Sequence, residues 1–286
     1  MNASPRVDAF FHQPTCTVSY VVSHAGRAAI IDPALDYDAA SGRTGTEAAD
    51  RIIAFVRAED LGVDWLLETH IHADHITAAP YLREQLGGAV GIGARVVEVQ
   101  KTFQAVFNLN SGFTADGSQF DRLFDDGDTV PLGGLAIEII HAPGHTPACV
   151  CYCIGDALFT GDTIFMPDFG TARCDFPGGD AATLYRSIRR LLEQPPDTRI
   201  FVGHDYAPGD RDYAWETTVA RERAENKHVR DGIDEDSFVA MRHARDAELS
   251  MPALILPSVQ VNIRGGALPP AEDNGVAYLK MPLNQF

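Results

Sequence analysis

The sequence has few cysteines, and their spacing is not typical of a disulfide framework. Its 286 residues include five of them, an odd number. Small secreted domains that depend on disulfides carry an even number at regular spacings. We therefore expect free thiols in a reducing compartment, and we predict a cytoplasmic protein. The five are Cys16, Cys149, Cys151, Cys153 and Cys174.

Long apolar runs and an excess of basic residues are also missing. No stretch approaches the roughly 18 apolar residues of a membrane span, and the opening MNASPRVD has no apolar signal core. Only 23 Lys and Arg stand against 40 Asp and Glu, which gives a formal charge of −17. Because that charge repels nucleic acid and anionic membranes, we expect neither as a partner. An anionic substrate would need a local basic pocket.

The sequence has enough apolar residues, 45% of the total, to form a large core. We predict a catalytic domain over residues 1–233 and a C-terminal extension, residues 234–286, that packs on the same domain. Alternating and buried apolar runs predict strands at 15–20, 28–32, 63–69, 135–140, 149–153, 157–160 and 199–202. Helical spacing predicts helices at 46–61, 77–86, 96–109, 180–192 and 237–249.

The densest chemical motif is ETHIHADH, residues 68–75. It places His70, His72, Asp74 and His75 directly after a predicted strand. Residues two apart in an extended segment project to the same side, and the following turn can bring the other two back toward them. Imidazole and carboxylate ligands together suit zinc or iron rather than magnesium or calcium. The motif therefore predicts a metal site.

Three more predicted strands end at a turn that carries a histidine or an aspartate. They are followed by His145 in PGHT, Asp162 in TGDT and His204 in GHDY. An α/β fold gathers its functional groups at strand ends. We therefore expect these three side chains to join the metal site.

Taken in order, the four motifs resemble the metallo-β-lactamase superfamily over residues 8–206. The resemblance implies an α/β fold, an αββα sandwich of two mixed sheets with helices on both outer faces and metal at the edge. Residues 169–176 (FGTARCDF) and 183–187 (TLYRS) resemble signatures of the persulfide dioxygenases within this superfamily, although Cys174 stands where that family usually has Thr. Residues 256–265 resemble its closing segment.

The persulfide dioxygenase resemblance implies one Fe²⁺ per chain, held by His70, His145 and Asp162. Such a facial triad leaves room on the metal for dioxygen and a persulfide sulfur. The implied reaction is the oxidation of glutathione persulfide by O₂ to sulfite and glutathione. Four further residues would orient the ligands and line the cavity. They are His72, Asp74, His75 and His204.

The motifs leave two alternatives open. A zinc-dependent hydroxyacylglutathione hydrolase of the glyoxalase II type would hold two Zn²⁺. The two ions would lie on His70, His72 and His145 and on Asp74, His75 and His204, with Asp162 bridging. A non-catalytic metal or sulfide sensor would need an output, and no DNA-binding segment or basic patch is visible. We adopt the dioxygenase interpretation because the C-terminal part lacks an evident helical substrate domain with the Lys and Arg residues that the hydrolase resemblance would require.

Three residues are predicted to bind the substrate: Arg173, Tyr206 and Arg264. An arginine can bind a carboxylate through two parallel hydrogen bonds. Tyr206 lies in the GHDY turn, close to His204. Arg173 has the alternative of pairing with Asp175. We also expect a homo-oligomer, a dimer or a tetramer. The isolated histidines are expected to face solvent, namely His12, His24, His228 and His243.

Overall fold

The structure is a computed structural model that describes residues 4–109 and 112–285. Among the described residues no helix is long and apolar enough to cross a membrane. The strands are β1 (Arg6–His12), β2 (Thr17–His24), β3 (Arg27–Ile31), β4 (Ala34–Asp38), β5 (Arg43–Gly45), β6 (Gly62–Leu67), β7 (Ile76–Thr77), β8 (Ala89–Gly93), β9 (Arg122–Phe124), β10 (Thr129–Leu132), β11 (Leu135–His141), β12 (Val150–Ile154), β13 (Ala157–Phe159), β14 (Arg199–Phe201) and β15 (Glu216–Thr218). The helices are α1 (Glu47–Ala58), α2 (Ala79–Leu86), α3 (Val96–Val106), α4 (Ala181–Leu191), α5 (Val219–Glu225), α6 (Glu235–Asp246) and α7 (Ile255–Asn262), with a short 3₁₀ helix at Pro208–Asp210.

Two mixed six-stranded sheets organise these elements. The first has the order β1-β2-β3-β6-β8-β9 and the second the order β10-β11-β12-β13-β14-β15. Chain neighbours such as β1 and β2 pair antiparallel, whereas β3-β6-β8-β9 and β13-β14 pair parallel. Parallel pairs need long crossover connections, and α1, α2 and α4 lie in these connections. A small sheet, β5-β4-β7, lies beside the first.

The two sheets face each other across an apolar layer and carry helices on their outer faces. Side chains of β3 alternate, so that Ala29 and Ile31 join the layer between the sheets while Ala28 and Ile30 contact the outer helices. In the second sheet Tyr152 points inward and Cys151 outward. This is the αββα sandwich that the sequence predicts.

Helices cover each outer face with the side chains that their spacing predicts. Leu184, Ile188 and Leu191 of α4 are buried against the second sheet together with Phe238 of α6. The predicted N-cap of α4 is confirmed, because the Asp180 carboxylate accepts the Thr183 N–H at 2.7 Å. Side chains of α1, α2, α3 and α7 cover the first sheet.

The predicted helices and strands are present, and most helix ends lie inside the predicted bounds. The structure also contains several elements that were not predicted. Strand β1 lies at a sheet edge with half-buried residues, and β8 contains two glycines that weaken a strand pattern. Helix α7 falls in a stretch rich in Pro, Gly and Asn, for which the sequence predicts no helix. Its Ile255 and Val259 are buried against the first sheet, and such packing supplies most of the stability of a short helix.

The prediction that isolated histidines face solvent is wrong for His12 and His228, which are both buried. His12 contacts Thr15 Oγ1 at 2.7 Å and Asp36 Oδ1 at 3.2 Å. Nδ1 of His228 accepts the N–H of Thr171 at 3.1 Å. Each ring is buried because neighbours distant in sequence satisfy its nitrogens, which spacing along the chain does not reveal.

The C-terminal extension contributes to both outer layers. Helix α6 packs on α4, and α7 packs on the first sheet. The side-chain amide of Gln260 exchanges hydrogen bonds with the backbone of Lys280, at 2.8 and 2.9 Å, which ties the tail to α7. The predicted boundary at residue 233 stays a prediction.

One buried acid, Glu222 of α5, makes the stability of the protein dependent on pH. Its Oε2 accepts from Asn226 Nδ2 at 2.7 Å, and its Oε1 has no hydrogen-bond partner in the described part of the chain. Burial raises the pKa of Glu222 from 4.5 to about 8. The folded chain therefore keeps a proton that the unfolded chain releases. The stabilisation of the folded state by this retained proton is fully present below pH 4.5 and is lost as pH rises to about 8.

Because glutamine cannot release a proton, we expect Glu222→Gln to lose less stability than the parent protein between about pH 5 and pH 8. Each unit of pKa shift corresponds to about 1.4 kcal/mol of the free energy of unfolding. Urea unfolding of both metal-free proteins at a series of pH values measures this difference. Glu225→Gln is the matched control, since Glu225 is exposed on the same helix and pairs with Arg221 at 2.9 Å. Parallel stability curves for Glu222→Gln and the parent would contradict the expectation.

Candidate metal centre

The ends of four strands bring the predicted metal-type side chains to one edge of the sandwich. His70 follows β6, His145 follows β11, Asp162 follows β13 and His204 follows β14. The two sheets are joined at this edge, where Thr17 bridges to His204. The structure places all seven predicted metal-type residues in this one site.

Three side chains at this edge form a group suited to a metal ion. The ligand atoms of His70, His145 and Asp162 all lie within 4.8 Å of one another. Oδ2 of Asp162 is 3.9 Å from Nε2 of His70 and 3.8 Å from Nε2 of His145, too far for direct hydrogen bonds. Its other oxygen, Oδ1, is buried and has no hydrogen bond within the described residues. Two imidazoles and a carboxylate converging in this way fit a transition-metal ion.

Hydrogen bonds set both imidazoles of this group in the orientation that a ligand needs. Nδ1 of His145 donates to the carbonyl of Arg173 at 2.7 Å. Nδ1 of His70 lies 3.0 Å from the hydroxyl of Thr69, which itself donates to Asp32 at 2.7 Å. Because Nδ1 carries the proton in each ring, Nε2 keeps its lone pair and points toward Asp162.

His72 faces the other way. Its Nε2 lies 3.0 Å from Asp32 Oδ1 and 3.3 Å from Glu68 Oε2, while its Nδ1 is buried without a partner among described groups. Burial opposes a charged His72, but Asp32 and Glu68 outweigh it and hold the pKa of His72 well above the usual value. Burial, followed by the nearby His72 and His145, lowers the pKa of His70 well below the usual value, so that His70 is neutral.

A second group of ligand atoms lies beside the first. His72, Asp74 and His75 bring theirs within 4.8 Å of one another. Nδ1 of His75 contacts Asp74 Oδ2 at 2.9 Å, and Nε2 of His75 is buried with no partner in the described chain. His204 Nε2 joins the two groups, at 3.3 Å from Asp162 Oδ1 and 3.5 Å from Asp74 Oδ2. These residues can surround one ion or hold a second.

Asn262 of α7 supports the loop that carries His72 and His75, a role that sequence reasoning missed. Its Nδ2 donates to the carbonyls of His72 and His75 at 2.9 and 2.8 Å, and its Oδ1 accepts the Thr77 N–H at 3.0 Å. The side chain is buried. No local pattern points to it, because its partners lie about 190 residues earlier in the chain.

Two glycines allow the close approaches on which the site depends. Gly161 precedes Asp162 with φ of +47°, and a Cβ there would collide with the side chain of Thr69. Gly144 precedes His145 with φ of +133°, and a Cβ there would collide with the backbone of Leu184. Glycine tolerates such positive φ values. The turns that carry Asp162 and His145 therefore require glycine at these positions.

A cavity of about 490 Å³ opens onto the metal centre. Five of the predicted metal-type residues line it: His70, Asp74, His145, Asp162 and His204. His72 and His75 do not, so they lie behind the cavity wall. Three phenylalanines, Phe165, Phe169 and Phe176, give the cavity an apolar wall. The segment after α6 contributes Leu249, Ser250, Pro252, Ala253 and Leu254.

The structure brings two of the three predicted substrate residues to this cavity. Tyr206 is 44% exposed, and its ring centroid lies 4.6 Å from that of Phe169. Arg173 lines the cavity but pairs with Asp175 at 2.5 Å, as its alternative role predicts, and donates to the Ser250 carbonyl at 2.7 Å.

Arg264 is not among the cavity-lining residues. Its guanidinium lies over the ring of Phe113, 4.8 Å from the centroid. The structure therefore does not bring Arg264 together with Arg173 and Tyr206.

Comparison with known proteins agrees with this architecture. Residues 14–204 match the metallo-beta-lactamase superfamily. The chain belongs to this superfamily. The predicted fold is thereby confirmed, and the crystal structure of ETHE1 from Myxococcus xanthus superimposes with a TM-score of 0.72 at 29% identity, over 92% of this chain and 100% of that one.

Relatives within the superfamily carry different names. A "Probable metallo-hydrolase" of Burkholderia pseudomallei is 56% identical, over 97% of this chain and 99% of that protein. "Glyoxylase B2" of Dictyostelium discoideum is 46% identical over 99% of both. The human mitochondrial persulfide dioxygenase ETHE1 is 31% identical, over 68% of this chain and 66% of its own length. The resemblance to persulfide dioxygenases is therefore confirmed as a distant one.

Proposed function

We propose that this protein is an iron-dependent persulfide dioxygenase that acts on glutathione persulfide. The observation that carries the proposal is the convergence of His70, His145 and Asp162 within 4.8 Å on the floor of one cavity. Two histidines and one carboxylate with an open side are the ligand set of non-haem iron oxygenases. Similarity to ETHE1 proteins supports the same assignment.

The chain's own residues would prepare the site. His70, His145 and Asp162 would hold one Fe²⁺, which when bound would supply the redox chemistry that activates dioxygen. The Arg173 carbonyl and the Thr69 hydroxyl keep the two Nδ1 protons away from the cavity. Because His72 directs Nε2 to Asp32 and Glu68, it would support the loop without being a ligand.

The cavity suits a thiol carried on a small peptide. The His and Asp side chains on the cavity floor would receive the terminal sulfur. Phe165, Phe169 and Phe176 would exclude water from that sulfur. In the proposed reaction, glutathione persulfide, O₂ and water give glutathione and sulfite. The sulfur–sulfur bond breaks, the terminal sulfur is oxidised and dioxygen is reduced, so the atoms balance without another oxidant.

Oxygen uptake by the iron-loaded protein tests the proposal. The protein is loaded anaerobically with Fe²⁺, glutathione persulfide is added, and sulfite is assayed in the same vessel. We expect one sulfite for each dioxygen consumed. Absence of uptake by protein that carries one iron per chain would overturn the proposal.

A zinc-dependent hydroxyacylglutathione hydrolase is the second candidate. His72 Nδ1 and His75 Nε2 are buried without partners among described residues. In the two-zinc arrangement His72 would bind the ion shared with His70 and His145, and His75 would bind the second ion. The 46% identity to a glyoxylase B2 favours this candidate as well. Two results together would support the hydrolase. Protein that binds two Zn²⁺ per chain would hydrolyse lactoylglutathione, and protein supplied with iron would take up no oxygen.

A further inference from the structure

One cationic side chain that lines the cavity and a second beside it make no ion pair with any acidic residue that the structure describes. Arg245 of α6 is exposed and lines the cavity, and its guanidinium makes no ion pair or hydrogen bond with any residue that the structure describes. Lys227 is also exposed, and its Nζ lies 5.4 Å from the ring centroid of Phe169, which lines the same cavity. No described carboxylate lies within 4.0 Å of either charge.

The other arginines of the cavity are already neutralised. Arg173 pairs with Asp175, and Arg242 is buried in a pair with Asp246 at 2.7 Å. Arg245 therefore stands out as the cavity arginine whose charge is available to a ligand. In a chain of formal charge −17, an unpaired cation at a cavity mouth is a local exception that an anion would find attractive.

The electrostatics of neighbouring groups agree with a positive mouth. Partial burial and then the charge of Arg245 lower the pKa of Lys227. Burial, followed by Arg242, Lys227 and Arg245, lowers the pKa of His228 to about 3. His228 is accordingly neutral, and its Nδ1 accepts the Thr171 N–H at 3.1 Å. Asp168 offsets part of this repulsion at Lys227, and a bound carboxylate would stabilise the neighbouring positive charges further.

We propose that Arg245, assisted by Lys227, binds a carboxylate of the thiol carrier and so makes substrate recognition depend on the carrier's negative charge. The inference rests on the proposed function, because it names the groups that hold the carrier whose persulfide reaches the metal. Glutathione has two carboxylates, and the guanidinium can hold one of them bidentately while the sulfur reaches the cavity floor. Arg245 is in this role a specificity-determining residue.

Kinetics with a matched pair of substrates test the inference. The substrates are glutathione persulfide and the persulfide of glutathione diethyl ester, which lacks both carboxylates. For Arg245→Ala we expect KM for the acid to rise about 10- to 100-fold, with kcat changed less than about two-fold. KM for the ester should be the same in variant and parent. Arg43→Ala removes an exposed arginine of β5 that does not line the cavity, and it should change neither constant.

A binding measurement separates this inference from the proposed reaction. S-methylglutathione keeps both carboxylates but has no reactive sulfur, and calorimetry reports its affinity for the metal-loaded parent and variant. Weaker binding to Arg245→Ala supports the inference even when no oxygen is consumed. Equal binding to both proteins, or an equal KM rise for acid and ester, overturns it while leaving the dioxygenase proposal intact.

Discussion

Replacing Asp162 by alanine is expected to abolish iron binding and oxygen uptake together, whereas His72→Ala is expected to retain most of the iron. Asp162 contributes the carboxylate of the His70, His145 and Asp162 group. Changes to residues that only support the ligands typically cost about 10- to 100-fold in metal affinity, and loss of a ligand costs more. Iron per chain, measured after gel filtration with a known excess of Fe²⁺, gives the comparison.

Folding controls are needed because both residues are polar and lie in the core of the site. His72→Ala leaves Asp32 and Glu68 buried without their imidazole, so we also expect a lower unfolding temperature for this variant. Circular dichroism at the assay temperature shows whether each variant is folded. Equal loss of iron from two folded variants would indicate that His72 is a ligand and would favour the two-zinc hydrolase.

The second large effect is expected from Asn262→Ala, although Asn262 contacts no metal ion in the proposed set. The change removes the donor to the His72 and His75 carbonyls and the acceptor for the Thr77 N–H. Each buried group left unsatisfied costs about 1 to 3 kcal/mol. We expect several kcal/mol of lost stability and roughly 10- to 100-fold weaker metal binding. Urea unfolding and a Co²⁺ titration followed by its absorption bands measure the two effects.

Gln260 provides a control on the same helix. It is buried like Asn262, but its amide bonds to Leu256 and to Lys280 of the tail instead of the metal loop. Gln260→Ala should therefore lower stability and leave the Co²⁺ affinity and spectrum unchanged. If Asn262→Ala also kept the parent's affinity and spectrum, the brace between α7 and the loop would not matter for the metal.

Part of the site could be predicted because its residues are local in sequence. The motif at residues 70–75 lies within one strand end and turn, and the turns at His145, Asp162 and His204 each follow an apolar strand. Strands in a sandwich end at shared edges, so a list of strand-end residues already approximates the metal site. The same reasoning located the sheets and the helix at residues 181–191, whose apolar spacing matches its buried face.

Only the tertiary structure decided which of these residues face the cavity and which support it. His70 and His72 are two apart, yet one turns Nε2 toward Asp162 and the other toward Asp32. That choice depends on Asp32, which lies directly after β3, and cannot be read from the motif. Arg173, predicted for substrate, has a partner in Asp175, whereas Arg245 has no ion-pair partner within residues 4–109 and 112–285.

The amino-acid sequence by itself determined the candidate metal-binding residues, because strand-end motifs express short-range geometry, and the resemblance of its four motifs to a known superfamily implied the fold class. The fold alone decided the hydrogen-bond partners, the brace from Asn262 and the cation at the cavity mouth. These depend on contacts between residues far apart in the chain, such as Asn262 with His72. Burial and pairing are properties of the packed molecule, and no local pattern encodes them.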